Sequence, residues 1–179
     1  MNNDRIANML GALALGLTDQ IRAASERQAS EGGPAPAAVT LIGHDPGLSI
    51  DRLRRSLGLS HPGAVRLVDR LVADGLVLRE PSAEDRRAVA LILTEEGLRQ
   101  RDAILSERHA GLAAALDCLA PEEQEPFERL LTKLLGAFVR DVGHAYAVCR
   151  LCDERVCQPC PVEQCLHDEA DRSSGRPGR

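Results

Sequence analysis

Residues 49–93 order their caps, glycines and apolar runs in a way that few folds satisfy. Ser49 is a good N-cap residue ahead of a helical stretch reaching about Leu57, and Gly58-Leu59 makes a tight turn. Ser60 caps a second helix from His61 to Ala73, with Pro62 tolerated in its first turn. Gly75 supplies a left-handed C-terminal cap, and Leu76 seals it. Two short helices joined by a glycine turn form a helix-turn-helix. A strand over 76–80 follows, then the polar turn 81–87, then a second strand over 88–93. This hairpin directly after the helix pair reads as the wing of a winged-helix domain.

Long helices flank this unit. Ile6, Met9, Leu10, Leu13, Leu17 and Ile21 recur at helical spacing and predict one helix over 4–28. Residues 30–34 end it, a short helix covers 35–42, and residues 44–47 turn. Thr94 caps a helix with Glu95 and Glu96 in its first turn, where the helix dipole favours acids; it is expected to reach about Leu119. Another helix is expected from near Pro121 to Tyr146, kinked or restarted at Pro126. The apolar stripes of these helices exceed what one small domain covers, so the expected assembly is a two-fold dimer. The predicted fold class is mainly α with a small β-hairpin: a winged helix-turn-helix with N- and C-terminal dimerisation helices. One domain spans 1–148, with the helix-turn-helix and wing at 48–93. A cysteine-rich segment spans 149–167, and a tail expected to be disordered spans 168–179.

Composition narrows the class further. The aromatic residues are Phe127, Phe138 and Tyr146, so the core must rest on Leu, Val, Ile and Ala. No run of 18 uncharged apolar residues exists, which argues against a membrane span. The apolar stretch 9–17 lacks the basic flank and cleavage pattern of a signal peptide. A cytoplasmic location is expected. The formal net charge of −5 does not announce a nucleic-acid binder. Between Ile50 and Ala90, however, eight Arg stand against six Asp and Glu.

Leu67-Val68-Asp69-Arg70-Leu71-Val72-Ala73-Asp74-Gly75-Leu76-Val77 resembles the recognition-helix end of the MarR family. Glu84-Asp85-Arg86-Arg87, followed by Leu93-Thr94-Glu95-Glu96-Gly97, resembles that family's wing and the start of its next helix. The likeness covers 48–100 in motif and about 4–148 in layout. It implies a homodimeric regulator, usually a repressor, that binds pseudo-palindromic double-stranded DNA; many members respond to small phenolic ligands, oxidants or metals. Ala120, where the family often has a capping Ser, and Pro126 depart from the pattern, as does the cysteine segment.

The second helix of the pair is expected in the major groove. Ala64, Leu67, Val68, Leu71 and Val72 face the core in this reading. Pro62, Gly63, Arg66 and Arg70 then lie outward, with Arg66 the first choice for a guanine contact. Ser60 and His61 reach phosphates. The resemblance implies that Asp85 orients Arg87 into the adjacent minor groove, where narrow grooves attract Arg, while Arg86 contacts backbone. The bland alternative is that Arg66 and Arg70 pair with Asp69 or Asp74 on a solvated surface, and that the loop is polar only because it is exposed.

Cys149, Cys152, Cys157 and Cys160 form two CxxC pairs separated by four residues. Each pair can chelate one ion, and four thiolates complete a tetrahedral Zn²⁺ site. Cys165 and His167 are spare ligands. Cys160-Pro161 resembles the ending of some ferredoxin-type motifs, so an iron–sulfur cluster stays open, as does a metal-free thiol switch. The regulator would then respond to metal or redox state. Cys118 alone is expected to be a small buried residue.

Two other classes compete. A thiol oxidoreductase would need its CxxC in a βαβ setting, which is absent, as are glycine-rich phosphate loops and GxSxG or HExxH motifs. A zinc-stabilised interaction module that has lost DNA binding would keep the fold and not the duplex. The expected protein is not an enzyme.

Overall fold

The computed structural model describes residues 3–28, 32–82 and 89–173. Helix α1 (Asn3–Gln28) leads to α2 (Ala35–His44), the two-residue strand β1 (Leu48–Ser49), α3 (Ile50–Leu57) and α4 (His61–Ala73). Strands β2 (Val77–Pro81) and β3 (Val89–Leu93) follow, then α5 (Glu95–Leu116), α6 (Pro121–Phe138), α7 (Val142–Val148) and α8 (Pro161–Ser173).

The helix pair forms where local signals place it. Ser49 accepts from Arg52 N, and Ser60 accepts from Gly63 N at 3.2 Å. Each cap meets a backbone donor that the first helical turn leaves unpaired. Both helices end alike. Leu59 N donates to Arg54 O and Leu76 N to Leu71 O, both at 2.9 Å, around Gly58 (φ 65°) and Gly75 (φ 72°). Only a residue without a Cβ enters that region cheaply.

Strands β2 and β3 are antiparallel, from Val77 opposite Leu93 to Pro81 opposite Val89. β1 adds to the other edge of β3, with Leu48 opposite Leu91, giving the order β1-β3-β2. The core lies between this sheet and α2, α3, α4 and α5. Leu41, Ile42, Leu53, Leu67, Val68, Leu71, Leu91 and Ile104 are buried there. Each such aliphatic side chain contributes about 2 kcal/mol of burial. The architecture is a winged helix-turn-helix with long flanking helices.

Several expectations change. β1 was not foreseen, because two residues carry no period. α5 ends at Leu116, short of Leu119, and this leaves Cys118 exposed in the turn; the expectation that it is buried is corrected. Its thiol donates to Ala115 O. The single helix expected from 121 to 146 is two helices. Pro126 sits within α6 without ending it. The break comes at Val139, which turns extended (φ −80°, ψ 131°) and buries its side chain. Asp141 then caps α7 by accepting from His144 N at 2.8 Å. A short polar side chain that bonds to nearby backbone competes with helix continuation. Residues 161–173 form α8, so the tail expected to be disordered from 168 is helical through Ser173.

α1 packs along α5, with Gln20 Nε2 donating to Gly111 O at 3.0 Å. α6 buries none of its residues, and Leu130 and Phe138 are 60% and 62% exposed. Ile6, Met9, Leu10 and Leu13 of α1 are exposed as well. No helix among the described residues is long and apolar enough to cross a membrane.

A close backbone approach lies at the start of α5. Thr94 N donates to Leu76 O at 3.0 Å, and Thr94 Oγ1 both donates to Gly75 O at 2.7 Å and accepts from Gly97 N at 3.0 Å. A Cβ on Gly97 would stand 2.1 Å from Leu76 O. Alanine would gain about 1 kcal/mol of helix propensity. The clash is with backbone and outweighs that gain. Gly97→Ala is expected to destabilise the protein by about 2 kcal/mol net, read as a lowered urea midpoint. An unchanged or raised midpoint would show that this crossing is loose.

Candidate nucleic-acid interface

α4 sorts its residues into two faces. Ala64, Leu67, Val68 and Leu71 are buried, and Val72 is half-buried against the core. His61, Pro62, Arg66 and Arg70 are exposed on the other side, with Gly63 half-buried beside them. The Ser60 oxygen is engaged in its cap, while its hydroxyl proton remains available to an acceptor beyond the helix end. Arg66 makes no ion pair among the described residues.

Asp69, named in the bland alternative as a partner for Arg66 or Arg70, is held by Arg79 of β2. Arg79 Nη2 stands 2.6 Å from Asp69 Oδ1. This pair ties the base of the wing to the exposed side of α4. Arg79 was not singled out from the sequence, since its strand carries no distinctive motif. On α3, Arg54 and Arg55 pair with Asp51 at 2.8 and 3.0 Å. The bond from Arg54 holds the Asp51 carboxyl below its usual range. Asp85, Arg86 and Arg87, the expected minor-groove residues, lie outside the described residues. The strands that carry them are in register up to Pro81 and Val89.

The cysteine-bearing segment folds back onto the same domain. Tyr146 of α7 donates to Asp45 Oδ2 at 3.0 Å, and Arg52 of α3 lies 4.5 Å over the Tyr146 ring and 3.3 Å from the same carboxylate. Burial, then the bond to Asp45, pushes the Tyr146 hydroxyl up. Glu154, inside the cysteine loop, accepts from Arg101 of α5. Its other oxygen lies 3.3 Å from His44 Nδ1 at the end of α2, close enough for an ion pair when that imidazole is protonated. Gly43 makes room for this, because a Cβ there would meet Arg101 Cδ at 2.5 Å. Arg101 was not picked out from the sequence. The one hint was a charged residue falling among the apolar positions Leu98, Ile104 and Leu105 of α5.

Cys149, Cys152, Cys157 and Cys160 line one pocket, with Arg108 of α5 and Leu135 of α6 in its wall. The Cys152 thiol, donating toward Cys149, holds that thiol below its usual value. Cys152 itself is raised by the same contact and by burial, and Cys157 is pushed up to about 11 by burial and its thiol neighbours. Among the described residues no group of three or more His, Cys, Asp or Glu side chains stands ready-made to hold a metal ion. Cys165 lies apart, against α6, where a Cβ on Gly136 would meet its Sγ at 2.2 Å. His167 is exposed and lines a second pocket with the four cysteines.

The fold and its exposed helix face define a winged helix-turn-helix protein. Residues 34–88 match the MarR family. The chain is similar to the HTH-type transcriptional regulator YfiV of Bacillus subtilis, with 30% identity over 92 residues. That match covers 51% of this chain and 58% of the relative, so the likeness spans little more than half of each. Among solved structures, a MarR family protein from Bacillus stearothermophilus is 27% identical, with a TM-score of 0.65 over 75% of this chain and 95% of that one. Streptococcus pneumoniae FabT in complex with DNA shares the fold, with 20% identity and a TM-score of 0.59 over 74% and 94%.

The Arg101–Glu154 contact offers a direct test of how the cysteine segment is held. The Arg101 side chain is only 8% exposed, so removing its partner strands a buried charge. Glu154→Ala is expected to cost about 3 kcal/mol. Arg155, exposed and paired with Asp102 at 3.0 Å, is expected to cost far less when changed to Ala, because solvent screens an exposed pair. Burial opposes ionisation of Glu154, but the bond from Arg101 and its other partners prevail and its carboxyl titrates below the usual range. The stabilisation is therefore full above the ordinary glutamate value of about 4.3 and is lost as pH falls through the lowered one. Equal losses for the two variants in chemical unfolding at neutral pH would contradict this account.

Proposed function

We propose that the protein is a homodimeric transcriptional regulator of the MarR type that represses by occupying a pseudo-palindromic operator. The observation that carries the reading is the two-faced α4. Its apolar side is fixed in the core, and Arg66, Arg70, His61 and Pro62 project outward beside the wing base. In this reading α4 enters the major groove and Arg66 contacts a guanine edge. Ser60, His61 and Gly63 approach phosphates near the helix N-terminus, where the backbone dipole favours negative charge. Arg70 and Arg86 contact the backbone, and Asp85 orients Arg87 into the flanking minor groove. The match of residues 34–88 to the family and the DNA complex of the similar FabT support it.

The dimer follows from the uncovered apolar faces of α1 and α6. Leaving Leu130, Leu134 and Phe138 in water wastes about 25 cal/mol for each Å² that a second copy would cover. A regulator of this kind reads half-sites about one helical turn apart, which a two-fold dimer with one α4 per copy suits. The effector chemistry is that of species that bind or oxidise thiols, since the cysteine loop grips α2 and α5 through Glu154 and lies next to the α7 contact with α3.

Genomic fragments captured by the protein supply the operator for an anisotropy titration. Arg66→Ala and Arg87→Ala are each expected to lose more than about 1 kcal/mol of operator affinity with unfolding unchanged. Wild-type affinity in both variants at physiological salt would overturn the reading. In sedimentation the wild type is expected to run as a dimer, and Leu134→Glu with Phe138→Glu as a monomer. A monomeric wild type would exclude the two-fold assembly.

A further inference from the structure

We propose that Cys149, Cys152, Cys157 and Cys160 bind one thiophilic divalent cation of the zinc class, with Arg108 balancing the charge of the site. All four side chains line one pocket, and Arg108 reaches the same pocket from α5. The thiols are successive neighbours: Cys149 beside Cys152, Cys152 beside Cys157, and Cys157 beside Cys160. Thiolates at about 2.3 Å from a tetrahedral zinc ion stand about 3.8 Å from one another, the scale of sulfur atoms in contact. An iron–sulfur cluster places irons and bridging sulfides between its cysteines and spreads them wider.

Arg108 is the independent observation. Its Nε is buried and has no hydrogen-bond partner among the described residues. A neutral thiol is a weak acceptor and leaves such a donor unmet. A metal-bound thiolate is an anionic acceptor, and groups that donate to metal ligands raise affinity. Four thiolates around a dication leave a net charge of −2, which the positive charge of half-buried Arg108 in the same pocket offsets. Binding exchanges four S–H bonds for four metal–sulfur bonds, and the four protons go to solvent. No electron is transferred and no oxidant is needed. The thiols are not pre-arranged as ligands, so capture includes a turning-in of the side chains of residues 149–160. Cys165 stays seated on Gly136 and takes no part.

Metal content of the full-length protein, purified without oxygen and then supplied with zinc, tests this apart from any DNA measurement. The expected result is one equivalent of zinc per chain. Exchange for cobalt is expected to give the intense visible bands of a tetrahedral thiolate site. Cys152→Ser and Cys157→Ser are expected to lose the ion, and Cys165→Ser to keep it. Arg108→Gln is expected to keep it but to bind it about tenfold more weakly against a competing chelator. Four freely alkylated thiols in zinc-supplied wild type, or the brown absorbance of an iron–sulfur cluster, would overturn the proposal. So would full zinc content in Cys157→Ser. Unchanged affinity in Arg108→Gln would overturn the role given to Arg108.

Discussion

The carbonyls of Gly75 and Leu76 are where the helix pair, the sheet and the long helices meet. Thr94 satisfies both carbonyls, one through its hydroxyl and one through its N–H, and then uses the same oxygen to cap α5. One residue thus meets the turn that follows α4, closes the end of β3 against the start of β2 and caps α5. Its geometry tolerates no side chain at Gly97. The orientation of α4 relative to α5 is therefore fixed by backbone hydrogen bonds, which hold direction far better than apolar packing does. The proposed placement of two α4 helices on a duplex through contacts between the long helices depends on that stiffness.

The C-terminal segment uses a different kind of contact. α7 and the cysteine loop are held by polar groups: Tyr146 on Asp45, Arg52 over the Tyr146 ring, and Glu154 on Arg101. Aliphatic packing alone would leave the segment free to slide, whereas a buried guanidinium has few acceptable positions. The contacts end on α2, α3 and α5, the elements that set the position of α4. A change in the loop at 149–160 has a short physical route to the helix pair, through residues within hydrogen-bonding distance of one another.

Charge is arranged with similar economy. The arginines of α3 are held at home, Arg54 and Arg55 by Asp51 and Arg52 by Asp45 and Tyr146. Arg79 is spent on Asp69. Arg66 on α4 has no such partner among the described residues. The weak net charge of the whole chain, −5, hides this local difference. A face able to meet a polyanion is thus compatible with an acidic protein, because screening confines each charge to its surroundings within about 10 Å.

What the sequence determined by itself was governed by neighbours a few residues apart. The caps at Ser49, Ser60 and Thr94, the left-handed glycines at 58 and 75, and the period of α1 and α4 were all readable, because caps and helical faces are local physics. So were the paired cysteines, whose spacing is a property of the chain. Tertiary structure decided the rest. β1 exists only because β3 offers an open edge to Leu48. The helix expected across 121–146 breaks because Val139 finds a buried place and Asp141 finds a donor. Arg101, Arg108 and Glu154 became informative only when distant segments met, since the cost of burying a charge is set by what surrounds it and not by its place in the chain.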